Sequence, residues 1–158
     1  MKRVFYYETE IGKIGIAENG SAITDIFFAS KEDPEDIKQT ERKETPLIKE
    51  AGKQIREYFK GERKVFELKL EPEGTPFQKE VWNALLSIPY GETRSYGQIA
   101  EQVGNPKACR AVGLANNRNP IAIVIPCHRV IGADGRLVGY GGGLHIKERL
   151  LALEQRNL

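Results

Sequence analysis

Four residues, Glu71-Pro72-Glu73-Gly74, divide this 158-residue chain into two parts with different side-chain patterns. Proline and glycine this close together interrupt both ladders and helices, so any fold of this chain changes character here. Upstream, Val4–Glu10, Gly12–Ala17 and Ala22–Ala29 are rich in β-branched and aromatic residues and predict three strands. Asn19-Gly20 predicts a hairpin turn between the second and third. Lys31–Thr45 is densely charged and reads as a loop. Leu47, Ile48, Ala51, Ile55, Tyr58 and Phe59 recur at helical spacing up to Gly61, and Val65–Leu70 alternates as a last strand.

Downstream the pattern is helical. Thr75 is placed to cap a helix, Pro76 suits its first turn, and Gln78 can close a capping box. Phe77, Val81, Trp82, Leu85 and Leu86 form its apolar face. Ser95-Tyr96-Gly97-Gln98 repeats the capping logic for a short helix through Ile99, Ala100 and Val103. After the turn Gly104-Asn105-Pro106, a second short helix runs from Lys107 to Asn116. Two short helices across a tight turn fit a helix-turn-helix and equally a helical hairpin that binds nothing. Arg110 is either a groove-facing cation or an ordinary surface charge. A last helix is expected from His145 to Glu154.

The chain has two cysteines and two histidines. One of each meets an arginine in Pro126-Cys127-His128-Arg129-Val130, where the apolar run Ile121–Ile125 stops. Thiolate, imidazole and guanidinium are the groups that raise and use a sulfur nucleophile. The segment also admits a plainer reading, a small buried cysteine at a strand end beside a surface His-Arg pair. Gly139-Tyr140-Gly141-Gly142-Gly143 is either a connector or a segment that shapes a pocket by close backbone approach. It lacks the phosphate-loop pattern.

Charge and cysteine usage narrow the classes. Formal net charge is +2, with 24 basic and 22 acidic residues, which by itself neither indicates nor excludes nucleic acid. The stretch 94–118, however, holds Arg94, Lys107, Arg110 and Arg118 against Glu101 alone, a basic face on the second half. No zinc-type Cys/His spacing or calcium loop occurs, so no metal is expected. The N-terminus reads as a strand and lacks a signal-peptide core, and no apolar run is long enough to span a bilayer. A cytoplasmic protein with free thiols is the expectation.

Taken together, Ile125-Pro126-Cys127-His128-Arg129-Val130-Ile131, Gly91–Tyr96, Asn105–Gly113, Asn119-Pro120, Tyr140–Leu144 and Glu154 resemble the O6-alkylguanine-DNA alkyltransferases, the methylated-DNA–protein-cysteine methyltransferase family. The likeness is specific over residues 75–155 and weaker over 1–74. It implies an α/β (α+β) fold. Residues 1–74 would form a ribonuclease-H-like domain, and 75–158 a mainly helical DNA-binding and alkyl-transfer domain with a helix-turn-helix.

The resemblance also implies an activity: stoichiometric, irreversible transfer of a methyl or small alkyl group from O6-alkylguanine, and also O4-methylthymine, onto the protein's own cysteine. Cys127 matches the acceptor. His128 matches the base that takes its proton through a water, and Glu154 the carboxylate that orients the histidine. Tyr96 matches the tyrosine that crowds the target phosphate and hydrogen-bonds N3 of the departing guanine. Arg110 matches the residue that fills the gap left by the flipped base. Ala108, Ala111 and Ala115 would allow close helix approach in the minor groove. Asn119, Val130, Tyr140, Gly141 and Gly142 match the pocket.

The partner implied is double-stranded DNA carrying the lesion, bound by a monomer, with cooperative assembly on DNA left open. Neither a cofactor nor a membrane is expected, since the donor is damaged DNA. Two rivals stand beside this reading. One is a damage-binding module that transfers nothing; the other is a cysteine hydrolase, which would need an oxyanion hole.

Overall fold

The computed structural model describes residues 2–29, 37, 40–140 and 143–158. It separates into two compact units, Met1–Pro72 and Glu73–Leu158. The first carries a four-stranded sheet and a helix, and the second is mainly helical, which is the expected α/β (α+β) class.

In the first unit β1 (Arg3–Thr9), β2 (Gly12–Glu18) and β3 (Ile23–Phe28) form an antiparallel meander. β4 (Glu41–Arg42) adds to β1 in parallel, giving the order β3-β2-β1-β4. The central strand β2 is buried at five successive positions, Ile14 to Glu18, because both faces of the sheet are covered. Helix α1 (Pro46–Phe59) covers one: a Cβ on Gly52 would lie 2.9 Å from the Tyr7 ring. On the other, Val4, Ala17 and Ile37 pack with Tyr6 and Phe27. Thr45 caps α1 by accepting from the Ile48 amide, as its position before Pro46 favours.

Asn19-Gly20 lies in the expected hairpin turn between β2 and β3, a four-residue connection in which the Asn19 side chain accepts from the amides of Ser21 and Ala22. Two expectations for this unit change. Glu41–Arg42, inside the expected loop, pairs as β4; residues 30–36, 38 and 39 of that loop lie outside the described residues. Val65–Leu70 is not a strand. Among the described residues its only ladder contact is a bridge from Leu70 to Ile23. The Gln54 side chain takes up the backbone of Glu67 instead, accepting from its amide at 2.9 Å and donating to its carbonyl at 3.2 Å. A buried side-chain amide thus does locally what a neighbouring strand would do.

In the second unit, α2 (Pro76–Leu85) and α3 (Tyr96–Gln102) both start with the expected capping boxes, on Thr75 with Gln78 and on Ser95 with Gln98. α3, the turn through Gly104 and α4 (Cys109–Asn117) make the helix-turn-helix. α2 anchors it. Trp82, 2% exposed, donates its indole N–H to the Ala115 carbonyl of α4 at 2.8 Å. Trp82→Phe keeps most of the packing and removes this bond. It is expected to cost about 1 kcal/mol in urea denaturation.

A two-stranded parallel ladder, β5 (Arg94–Ser95) with β6 (Val130–Ile131), joins the entry of α3 to the segment around Cys127. Ile121–Ile125 is no strand, although its β-branched content favours one. The Ile125 amide bonds back to the Ile121 carbonyl, closing a buried turn. Within it Ile123 sits at φ 72°, a left-handed conformation that a β-branched residue rarely adopts. The last helix, α5 (Leu144–Arg156), is longer at both ends than expected and begins without a side-chain cap.

Candidate active site

All residues of the site belong to the unit Glu73–Leu158. The turn Ile121–Ile125 delivers the chain into a single 3-10 turn, Cys127–Arg129, and β6 follows directly. A short turn displays three consecutive side chains in different directions. Here all three are buried, with Cys127 5% exposed and His128 fully enclosed.

Glu154, two residues before the end of α5, is the hub. Its Oε2 lies 2.6 Å from His128 Nε2. Arg129 donates to both carboxylate oxygens, from Nε at 2.9 Å and Nη2 at 3.0 Å, and sends Nη1 to the Ile88 carbonyl at 2.8 Å. The Gly91 amide adds a bond to Oε1 at 3.1 Å. Gly91 has φ 79°, a left-handed conformation that favours glycine.

Burial by itself would raise the Glu154 carboxyl. The hydrogen bond from His128 and the hydrogen bonds and positive charge of Arg129 outweigh it and hold the group down to about 2. An ionised carboxylate only accepts hydrogen bonds, so the proton between it and His128 sits on Nε2. Nδ1 is then the bare, basic nitrogen, and it has no hydrogen-bond partner among the described protein atoms. Burial also pushes the imidazole below its ordinary range despite the attraction of Glu154, so His128 is neutral at physiological pH.

Burial raises the Cys127 thiol, while hydrogen bonds from Asn119 and Tyr140 and the charge of Lys147 work in the opposite direction. The resting pair is therefore a thiol and a neutral imidazole. Asn119 also ties the turn together, donating to the Ile125 carbonyl at 2.8 Å and accepting from the Ile121 amide at 3.0 Å. Asn116 donates to the Cys127 carbonyl at 3.3 Å.

Lys147 is a buried ammonium on α5 that the sequence reading passed over. Burial lowers it to about 8 against the favourable effect of Cys127. It donates to the Val138 carbonyl at 3.0 Å and lies 5.9 Å from the centre of the Tyr96 ring. The Tyr96 hydroxyl donates to the same carbonyl at 2.7 Å. Lys147, Leu150 and Glu154 share one face of α5, so a charged residue on the apolar stripe was the available signal.

The remaining expected residues divide by position. Val130 is buried; Tyr96, Asn119 and Tyr140 are half-buried. Arg110 and Ala111 are exposed on α4, and Ala108 precedes the helix half-buried. Ala115, expected on the DNA-facing side, is buried at 2% exposure under the Trp82 bond, because it falls on the helix face turned to α2. Gly141 and Gly142 lie outside the described residues. Among the described residues no group of three or more His, Cys, Asp or Glu could hold a metal ion.

Acid should unfold this site in two stages. In the unfolded chain His128 takes a proton near its ordinary 6.5, while in the fold it resists. Its contribution is thus lost as pH falls from that value. Glu154 is ionised down to about 2 in the fold and to 4.5 outside it, so a second contribution disappears between those values. The melting temperature is expected to fall from about pH 6.5 downward and more steeply below 4.5. In His128→Gln the first limb should shrink.

Residues 76–156 match the family description "6-O-methylguanine DNA methyltransferase, DNA binding domain", and residues 3–72 match its "ribonuclease-like domain". The methylated-DNA–protein-cysteine methyltransferase of Methanosarcina acetivorans is 54% identical over 148 residues, covering 94% of this chain and 95% of that protein. The constitutive Bacillus subtilis enzyme of that name is 53% identical over 153 residues, covering 94% and 92%. Among solved structures, Mycobacterium tuberculosis O6-methylguanine methyltransferase superposes with a TM-score of 0.93 at 46% identity, covering 100% of this chain and 95% of that one. The OGT of the same organism in complex with DNA gives 0.90 at 46% identity, covering 98% and 94%.

Proposed function

Because the chain belongs to the 6-O-methylguanine DNA methyltransferase family, with the DNA-repair activity of a methylated-DNA–protein-cysteine methyltransferase (EC 2.1.1.63), we propose that Cys127 is itself the methyl acceptor and is used once per molecule. The observation that carries this reading is the buried Glu154–His128 pair. It leaves Nδ1 bare as the base on the residue that follows the enclosed, protonated Cys127 thiol in sequence.

The Cys127 proton passes through a water to His128 Nδ1, and the imidazolium formed is stabilised by Glu154. Sγ then attacks the alkyl carbon attached to O6 of the guanine, not the ring carbon. The S–C bond forms as the O6–C bond breaks, and the bonding electrons stay on the base. Guanine gains a proton, so overall one proton leaves the thiol and one is taken up by the base. Tyr96 exchanges its bond to Val138 for one to N3 of the departing guanine. Lys147 lowers the cost of the thiolate by its charge. Asn119, Val130, Tyr140, Gly141 and Gly142 line the pocket.

To reach this site the nucleotide leaves the helix, and Arg110 takes its place beside Ala108 and Ala111. Flipping costs a few kcal/mol and is easiest at a weakened pair, which favours the lesion. O4-methylthymine offers the same O-methyl group beside a ring nitrogen and is a second substrate.

The product is a thioether without an acidic proton or a ready leaving group. Cys109, the other free thiol, is exposed at the start of α4. Nothing in this scheme restores Cys127, and no cofactor enters it. The protein acts as a monomer on duplex DNA in the cytoplasm; among the described residues no helix is long and apolar enough to cross a membrane.

The test is a titration with duplex carrying O6-methylguanine in excess. Repair should stop at one methyl group per protein molecule. Continued turnover would refute single use and favour a hydrolase, whereas tight binding without repair would favour a damage-binding module.

A further inference from the structure

The second helix of the helix-turn-helix carries a pattern that the transfer chemistry does not use. Arg110, Leu114 and Arg118 follow at intervals of four, one above another along a single face of α4 and its C-cap. Arg110 and Arg118 are exposed, and Leu114 is 61% exposed, whereas Val112, Ala115 and Asn116 face the interior. Among the described residues neither arginine side chain has an acidic partner. The face continues toward Tyr96, since a Cβ on Gly113 would come 3.9 Å from its ring.

A leucine held in water between two unpaired cations gains nothing from solvent and cannot bind a phosphate. A polyanion with an apolar interior to its groove satisfies all three side chains at once. The face carries no carboxylate, which disfavours a second copy of this mixed-charge chain as its occupant.

We propose that Leu114 and Arg118 extend the DNA contact that begins at Arg110. Leu114 packs against deoxyribose rings and base edges about 6 Å along the helix from Arg110, roughly two nucleotides from the extruded base. Arg118, about 12 Å along, binds a backbone phosphate. This rests on the reading of Arg110 given above. It assigns α4 an apolar contact, independent of the lesion, between two cationic ones.

The test measures binding of a fluorescent undamaged duplex over a series of salt concentrations. It uses the wild-type chain, Leu114→Ala and Arg118→Gln, with melting temperatures recorded as a check on folding. Leu114→Ala should raise Kd about fivefold at every salt concentration, leaving the slope of log Kd against log salt unchanged. Arg118→Gln should reduce that slope by about one.

An unchanged Kd for Leu114→Ala overturns the proposal, as does an unchanged slope for Arg118→Gln. Loss of self-association in Leu114→Ala at constant Kd overturns it too, and assigns the face to a second copy. Methyl transfer by the wild-type chain is read in parallel. If the wild type repairs the lesion and the variants bind normally, only this contact fails. If the variants bind as expected and the wild type transfers nothing, the contact stands and the transferase reading fails.

Discussion

Replacing Glu154 with glutamine is expected to slow methyl transfer by at least about a hundredfold and to destabilise the fold by about 3 kcal/mol. The two effects have different origins. The stability loss comes from Arg129, which is 6% exposed and spends two of its donors on this carboxylate. Without the negative charge it is a buried cation left, among the described residues, with neutral groups, the glutamine oxygen, the Ile88 carbonyl and the Tyr90 ring.

The rate loss comes from His128. A glutamine NH2 turned toward Nε2 would have to be accepted there, moving the imidazole proton to Nδ1 and removing the base. The double variant Glu154→Gln, Arg129→Met separates the two. Urea denaturation should show part of the stability restored, since the stranded cation is gone, while single-turnover transfer stays slow. Transfer within about tenfold of wild type in either variant would mean that the Glu154–His128 pair is structural.

The second large effect is at the acceptor. Cys127→Ala is expected to abolish transfer completely while leaving binding of the lesion duplex intact. The thiol is enclosed in the turn, whereas Arg110 and Ala111 are exposed on α4, and its loss costs one buried sulfur atom. The remaining thiol, Cys109, should not substitute, because no base accompanies it on α4. A gel-shift assay should therefore show the variant accumulating on O6-methylguanine duplex with the lesion unrepaired. Cys109→Ala should reach the same final extent of repair as the wild-type chain. Residual methylation of Cys127→Ala at another residue would place the acceptor elsewhere.

Cys127 and His128 stand out in the sequence because their pattern is local, whereas Glu154 enters only through the resemblance. Cys127 and His128 are neighbours in an unusual tripeptide, and the capping boxes at Thr75 and Ser95 fix helix starts within a few residues. What was not legible depends on distant pairing. Arg129 reads as a companion of the thiol, yet it acts on the carboxylate 25 positions away. Lys147 reads as a surface lysine until α5 is seen to bury the face that it shares with Leu150 and Glu154. Ala115 is small enough for a close DNA approach, but the same smallness lets Trp82 reach its carbonyl. Ile121–Ile125 has the composition of a strand, and tertiary packing closes it into a turn that aims Cys127 inward. The Val65–Leu70 alternation failed for a similar reason, since one side chain, Gln54, supplied the pairing instead of a strand.

Both variants probe one claim, that a single buried thiol, activated by His128 and Glu154, takes the methyl group from DNA and keeps it. The most direct measurement is peptide mass mapping after reaction of the wild-type chain with a duplex bearing one O6-methylguanine and no added cofactor. The expected result is the mass of one methyl group gained on the peptide containing Cys127, on that residue alone, with unmodified guanine left in the duplex. An unmodified Cys127 peptide beside a repaired duplex, or a methyl group on any other residue, would contradict it.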